Sequence, residues 1–270
     1  MLRNNKILRG DVRQSGFTLV ELAIVLAVIG LIIGAVAIGK DVQRNAEYTK
    51  VKNRFIDQWE QAYNQYYQRT GVVVGDEQTA PRLMVNGAQY GDVTTDPTVS
   101  GGDMTGATPP NAVCRGSAGP GMDRDYSNTE DPDLRDLMLQ AGVTMPPGRG
   151  EGMEDRYVYL DSNGNPQEVQ VCFQWNNPGM SEGAGNAMVI TGLTPDLARM
   201  LDQMIDGQAD AARGRFRQQG VTPPAENGPG IQWVGDNTRA MGSDADADGS
   251  SQNMSDDQVM TVVAIYKMNQ

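Results

Sequence analysis

From Phe17 to Ile38 the chain runs for 22 residues with a single charged side chain, Glu21. At ~1.5 Å of rise per residue, a helix of that length spans about 33 Å and crosses a bilayer core. Arg3, Lys6, Arg9 and Arg13 precede it against one acid, Asp11. That bias predicts a cytoplasmic N-terminus with the bulk of the chain on the other side. An ordinary signal anchor fits this much, and so does a secretory signal cut after Ala35-Val36-Ala37. The run is longer than the apolar region of about 7–15 residues in a secretory signal. Glu21 fits neither, because a carboxylate inside a membrane helix costs ~2.5–3.5 kcal/mol on insertion scales. It requires a functional reason.

Gly16-Phe17-Thr18-Leu19-Val20-Glu21-Leu22 supplies one. This heptapeptide resembles the class III signal of type IV prepilins and type II secretion pseudopilins. The resemblance implies that a prepilin peptidase cuts between Gly16 and Phe17, that Phe17 becomes the N-methylated terminus, and that Glu21 is the assembly carboxylate. In that family the glutamate pairs with the N-terminal ammonium of a neighbouring subunit, and such a pair neutralises two charges in an apolar filament core. The implied partners are the peptidase/methylase, other copies of the chain or related pilins, and an inner-membrane assembly platform. The implied location is the bacterial inner membrane for the precursor, with a periplasmic head, and then a pilus or pseudopilus. Ile38 stands where many members of the family carry a helix-weakening proline. Gly30, Gly34 and Gly39 could weaken this helix instead, each by ~1 kcal/mol relative to Ala.

Beyond Lys40 the pattern becomes one-sided. Tyr48, Val51, Phe55, Trp59, Ala62, Tyr63 and Tyr66 recur at steps of three and four, the signature of one buried helical face. With no proline from Phe17 to Arg69 and Gly71 as a stop, one uninterrupted helix is expected. From Gly75 to about Glu130 the chain is rich in Gly, Asp, Thr, Pro and Ser, without periodicity, and reads as a long surface loop. A short helix follows, with Asp131 as cap, Pro132 in its first turn and Gly142 as its end. Arg156–Leu160 and Glu168–Trp175 read as strands flanking a turn with an Asn163-Gly164 step. Ala187–Ile190, Ile231–Val234 and Gln258–Lys267 read as further strands, and Thr194-Pro195-Asp196 opens a helix ended by Gly207.

The expected fold is α+β and pilin-like: a long N-terminal helix, half membrane and half amphipathic, packed on an antiparallel sheet with long variable loops. The expected parts are a leader at 1–16, a membrane or filament-core helix at 17–40, its amphipathic continuation at 41–70, and a head at 71–270 that contains the variable loop at 75–130. The expected role is a structural subunit of a type IV pilus-like filament, a pilin or minor pilin. The alternatives are a type II secretion pseudopilin and, from another class, an anchored or secreted periplasmic binding domain.

The remaining composition bears on chemistry. There is no histidine, and the formal net charge is −12. Ser-His-Asp and Cys-His nucleophiles and imidazole-ligated metals are excluded. The acidic balance disfavours a nucleic acid as main ligand, and no enzyme activity is expected. Cys114 and Cys172 are the only cysteines; outside the cytoplasm they are expected to pair, although two buried thiols remain the alternative. Asp244, Asp246 and Asp248, followed by Gly249, match the first half of an EF-hand-type calcium loop. Ser255 stands where that loop requires Glu, so calcium and a plain solvated acidic loop both stay open, and no other cofactor is expected.

Overall fold

The computed structural model describes residues 18–76, 78, 113, 134–176, 181–223, 228–234 and 260–268. The chain divides into two compact units, the first ending at Gln43 and the second beginning at Arg44.

Helical structure is continuous from Leu19 to Thr70, but it is not one α-helix. Helix α1 (Leu19–Val51) passes into a π-helical turn, Lys52–Ile56, and then into α2 (Asp57–Thr70). In the wider turn the Asp57 N–H bonds to the Lys52 carbonyl. Residues five apart therefore share a side, and Lys52 Nζ meets Asp57 Oδ1 at 2.7 Å. An α-helix would set those two side chains about 140° apart. The π turn also lets Phe55 and Ile56, adjacent in sequence, both be buried. The long helix expected through to Arg69 is present, with this wider turn inside it. The end falls where glycine predicts it: Gly71 takes φ 77, a left-handed cap, and its N–H bonds to the Tyr67 carbonyl.

All seven residues of the predicted stripe, Tyr48 through Tyr66, are buried. They face a five-stranded antiparallel sheet of order β1-β2-β3-β5-β4, with β1 Arg156–Leu160, β2 Pro166–Asn176, β3 Gly185–Leu193, β4 Phe216–Gln218 and β5 Val262–Lys267. Phe173 on β2 is the centre of this layer, with Trp59 edge-on at 5.9 Å and Tyr63 at 5.0 Å. Phe55 packs on Tyr157 of β1 at 5.4 Å. At the other side of the sheet, Glu60 of α2 accepts from the Tyr266 hydroxyl at 3.0 Å and from Arg215 at 3.3 Å. Val169, Val171 and Phe173 belong to the helix-side core, while Cys172 packs with Ala187, Val189 and Ile265 on the opposite face. That is the two-residue alternation of a strand.

The helix at α3 (Leu134–Gln140) and the one at α4 (Pro195–Asp206) form as expected, with Gly142 and Gly207 in left-handed conformations just beyond them. Asp131 and Pro132 lie outside the described residues, as does nearly all of 75–130. The Asp161–Asn165 turn is closed by Asp161, whose Oδ1 accepts from the backbone N–H of Asn163 and Asn165 at 2.9 and 2.8 Å.

Ile231–Val234, expected as a strand, is not one. Its polar groups are met elsewhere. The Ile231 N–H goes to the Asp210 carboxylate, its carbonyl accepts from Ala211, and the Val234 N–H goes to the Gln218 side chain. In its place the sheet gains β4, a three-residue edge strand that begins at the end of the charged stretch Arg213–Arg217. The N–H groups of Arg215 and Phe216 are both taken by Asp206 Oδ2 at 2.8 Å.

Candidate functional site

Every residue from Thr18 to Gln43 is exposed in the isolated chain. In the first unit, the large apolar side chains from Leu19 to Ile38 have no protein cover, in contrast to the buried stripe that follows. The segment is long and apolar enough to cross a membrane. A helix apolar on all sides needs lipid or other helices around it.

Glu21 sits in the first turn. Its Oε2 accepts from the Thr18 N–H at 2.9 Å and from the Thr18 hydroxyl at 2.9 Å, and the Glu21 N–H donates back to Thr18 Oγ1 at 3.2 Å. This reciprocal arrangement is a capping box, which satisfies N–H groups that the start of a helix leaves without carbonyl partners. The T-x-x-E spacing is legible in the sequence, but a search for assembly residues alone passes over Thr18. Both side-chain bonds fall on Oε2, so the cap engages one of the two carboxylate oxygens. Gly16 and Phe17, the expected cleavage pair, lie outside the described residues.

Cys172 is fully buried on β2, and no cysteine is free among the described residues. Its expected partner, Cys114, lies outside them. The neighbouring Val113 forms an isolated antiparallel bridge with Phe173, with N–H···O bonds of 2.8 and 3.4 Å in the two directions. Asp244, Asp246 and Asp248 also lie outside the described residues. Among the described residues no group of three or more His, Cys, Asp or Glu side chains is placed to hold a metal ion.

The head contains a second carboxylate cluster that sequence reasoning did not find: Asp202, Asp206 and Asp210, at four-residue spacing along the end of α4 and the following loop. Asp202 and Asp210 are buried. The first turn of α4 carries a further one, Asp196, which accepts from the Tyr48 hydroxyl at 2.5 Å. The only clue in sequence is the density of acids around a short apolar helix, which a solvated surface explains as well.

Residues 12–37 match the family model of the prokaryotic N-terminal methylation motif. The chain therefore carries a type IV prepilin-like signal, and its long N-terminal helix and antiparallel five-stranded sheet give it a pilin-like α+β architecture. The motif marks structural, pilin-like proteins of the type IV pilin or pseudopilin class, processed by a prepilin peptidase and assembled with pilins, and it fits a membrane-anchored precursor. The head lies beyond the match. No curated protein and no solved structure matches the chain.

Proposed function

We propose that the chain is a structural subunit, a pilin or minor pilin, of a type IV pilus-like filament, with no catalytic role of its own. In this reading the leader 1–16 is cut between Gly16 and Phe17, and Phe17 is methylated. The precursor waits in the inner membrane with its head in the periplasm, and an assembly platform adds it to the filament. The helix from 17 to 40 then becomes filament core, 41–70 continues it, and 71–270 is displayed. The observation that carries this is a methylation motif whose glutamate opens a membrane-length helix with all its apolar surface uncovered.

The capping box sharpens the role of Glu21. With Oε2 engaged by Thr18, the other oxygen can receive a neighbour's Phe17 ammonium without undoing the helix start. That pairing relieves the insertion cost of the carboxylate once the subunit leaves the membrane.

Three variants separate the two duties. Thr18→Ala removes the cap, at about 1 kcal/mol of helix stability, and keeps the charge. Glu21→Gln removes the charge, and Glu21→Ala removes both. Leader cleavage and membrane insertion are expected in all three. Filament incorporation, measured in sheared filament fractions, is expected to survive Thr18→Ala and to fail in both Glu21 variants. If Glu21→Gln is incorporated like wild type while Thr18→Ala and Glu21→Ala fail, the carboxylate acts only as a cap and the pairing role is wrong.

The reading includes a Cys114–Cys172 disulfide. Val113 and Phe173 exchange both backbone hydrogen bonds. Cys114 follows Val113 in sequence and Cys172 precedes Phe173, so the bridge between their neighbours supports the pairing.

A further inference from the structure

The edge strands of an open sheet present backbone groups to which a further strand can pair, unless something covers them. At β4 they are covered. Phe216 gives its N–H to Asp206, Gln218 gives its N–H to the Ala211 carbonyl, and the Gln218 side chain bonds the backbone of Val234. The edge at β1 differs.

Two contacts at the ends of the β1–β2 pairing fix which residues exchange hydrogen bonds. The Val171 N–H donates to the Asp155 carbonyl and the Asp161 N–H to the Asn165 carbonyl, both at 2.9 Å. Bonded and non-bonded pairs alternate along an antiparallel ladder. Tyr157, opposite Val169, and Tyr159, opposite Gln167, therefore direct their N–H and C=O groups to β2. Those of Arg156, Val158 and Leu160 point outward. The Arg156 N–H turns back to the Met153 carbonyl at 3.3 Å. Among the described residues nothing takes the outward groups of Val158 and Leu160. Tyr157 and Tyr159 face the helix-side core, so the side chains of Val158 and Leu160 lie on the other face, 40% and 44% exposed. A protected edge carries Lys, Pro or a bulge at such positions. This one carries two apolar residues.

We propose that β1 is a self-pairing edge that binds β1 of a second copy of this chain, antiparallel, with Val158 opposite the second copy's Leu160 and Tyr159 at the two-fold axis. In this register each free group is used once. Val158 donates to and accepts from the second copy's Leu160, and symmetry repeats the exchange, as an isologous contact requires. The four apolar side chains meet on the outer face. Charge favours a copy as the occupant despite the net −12 of each chain. Glu168, opposite Val158 on β2, is held by Arg149 and Arg156, and Arg156 falls beyond the paired residues, so no like charges face each other. A charged strand finds no counter-charge at these neutral groups. The two-fold axis stands perpendicular to the sheet, so α2 of one copy runs antiparallel to α2 of the other. Subunits of one filament point the same way, and the contact therefore joins heads of different filaments or free precursors. A contact this small is weak for one pair of heads, and rows of heads along two filaments multiply it. The pairing itself does not depend on the filament reading.

The test uses the ¹⁵N-labelled full chain with detergent micelles in large excess, followed by sedimentation and amide exchange from ~10 μM to ~1 mM, the range of a weak contact. Wild type is expected to become dimeric toward the upper end. The Val158 and Leu160 amides should slow in exchange as it does, while those of Tyr157 and Tyr159 stay slow throughout. Leu160→Lys changes an exposed side chain and places two ammonium groups in the apolar cluster; it should weaken dimerisation at least tenfold. Val158→Pro removes one outward N–H at an edge position that tolerates proline, and should abolish the dimer with the Tyr157 and Tyr159 amides still protected. Leu160→Lys decides alone if Val158→Pro fails to fold. A chain that stays monomeric across the range overturns the proposal, and so does a dimer that survives Leu160→Lys or leaves the two outward amides exchanging freely. Slow Val158 and Leu160 amides in the ~10 μM monomer overturn it as well, because the edge is then covered within the chain.

Discussion

Replacing Tyr48 with Phe removes one oxygen from a buried contact and leaves the packing in place. Tyr48 is 1% exposed, its ring meets Tyr159 edge-on at 6.2 Å, and its hydroxyl donates to Asp196 Oδ2 at 2.5 Å. Burial pushes the Asp196 carboxyl up. Donors from Tyr48 and Thr194 and the N–H groups of Asp196 and Leu197 outweigh it and hold the carboxyl below its ordinary value. Burial and the Asp196 charge both push the Tyr48 phenol up. The pair is a neutral phenol donating to a carboxylate. A hydrogen bond to a charged group contributes ~1.5–3 kcal/mol. Asp196 is only half buried, so the lower end, about 1.5 kcal/mol, is expected. In a domain of this size each kcal/mol moves Tm by about 2–4 °C, which puts the loss at roughly 3–6 °C at pH 7.

The pH dependence makes the prediction specific. A carboxyl with a depressed pKa contributes stability that is present above its ordinary value near 4 and is lost as pH falls through the depressed one. The gap between wild type and Tyr48→Phe should therefore be full at pH 7 and close on strong acidification, as Asp196 protonates in wild type too. Thermal and urea melts of the full chain in detergent, with Asp196→Asn and the double variant completing a cycle, measure it. A gap that stays constant with pH, or a coupling energy of zero, refutes the charge-assisted bond.

Four further outcomes follow from particular positions. Gly192 has φ 79, and a Cβ there would lie 2.0 Å from the Glu168 carbonyl oxygen, so Gly192→Ala should cost more than ~3 kcal/mol. Gly164→Ala, at φ 87 with open space around it, should cost only ~1–2 kcal/mol; equal melting temperatures would refute the clash. Phe173→Ala should cost ~3–5 kcal/mol by leaving a cavity under Trp59 and Tyr63, and a Tm loss under 2 °C would show that the site collapses to fill it. Peptide mapping without reductant should find Cys114 linked to Cys172, a closure contributing about 4 kcal/mol in the chain-entropy account; alkylatable thiols at both positions would remove it. Melts with millimolar calcium against chelator decide the Asp244–Asp248 question. A rise that is lost in Asp246→Ala, Asp248→Ala assigns the ion, and identical melts make the segment a solvated acidic loop.

What the sequence made legible was whatever repeats at a fixed period. The Tyr48–Tyr66 stripe could be read because a helix against a sheet buries the same side every turn, and β2 because Val169, Val171 and Phe173 alternate with Gln170, Cys172 and Gln174. The methylation motif could be read because glycine, phenylalanine and glutamate sit at fixed spacing before an apolar run. What escaped depends on side chains replacing backbone partners. β4 is a three-residue strand beside arginines and exists because Asp206 takes the N–H groups of Arg215 and Phe216 at its entry and β5 supplies the ladder. Ile231–Val234 has a strand's composition but gives its hydrogen bonds to Asp210, Gln218 and Ala211. The π turn was invisible for a similar reason: the Lys52–Asp57 spacing of five has meaning only once the helix has widened.

The change in pattern between Gln43 and Tyr48 also limits what each stretch of helix can do. From Arg44 onward the apolar residues occupy one side and are covered by the chain's own sheet, so this part is folded whether or not the subunit has neighbours. Before Arg44 no side is favoured, and in the proposed filament the cover comes from lipid before assembly and from other subunits after it. Lipid and neighbouring apolar helices are nearly equivalent solvents for Leu and Ile, so those residues give little preference for one state over the other. Glu21 is the charged side chain inside that apolar run, and under the proposed pairing it does distinguish them: in lipid its second oxygen has no cation, and in the proposed filament each neighbour would bring one. On this argument the direction of assembly rests on a single carboxylate, and the apolar residues around it make the exchange of lipid for protein nearly free of cost.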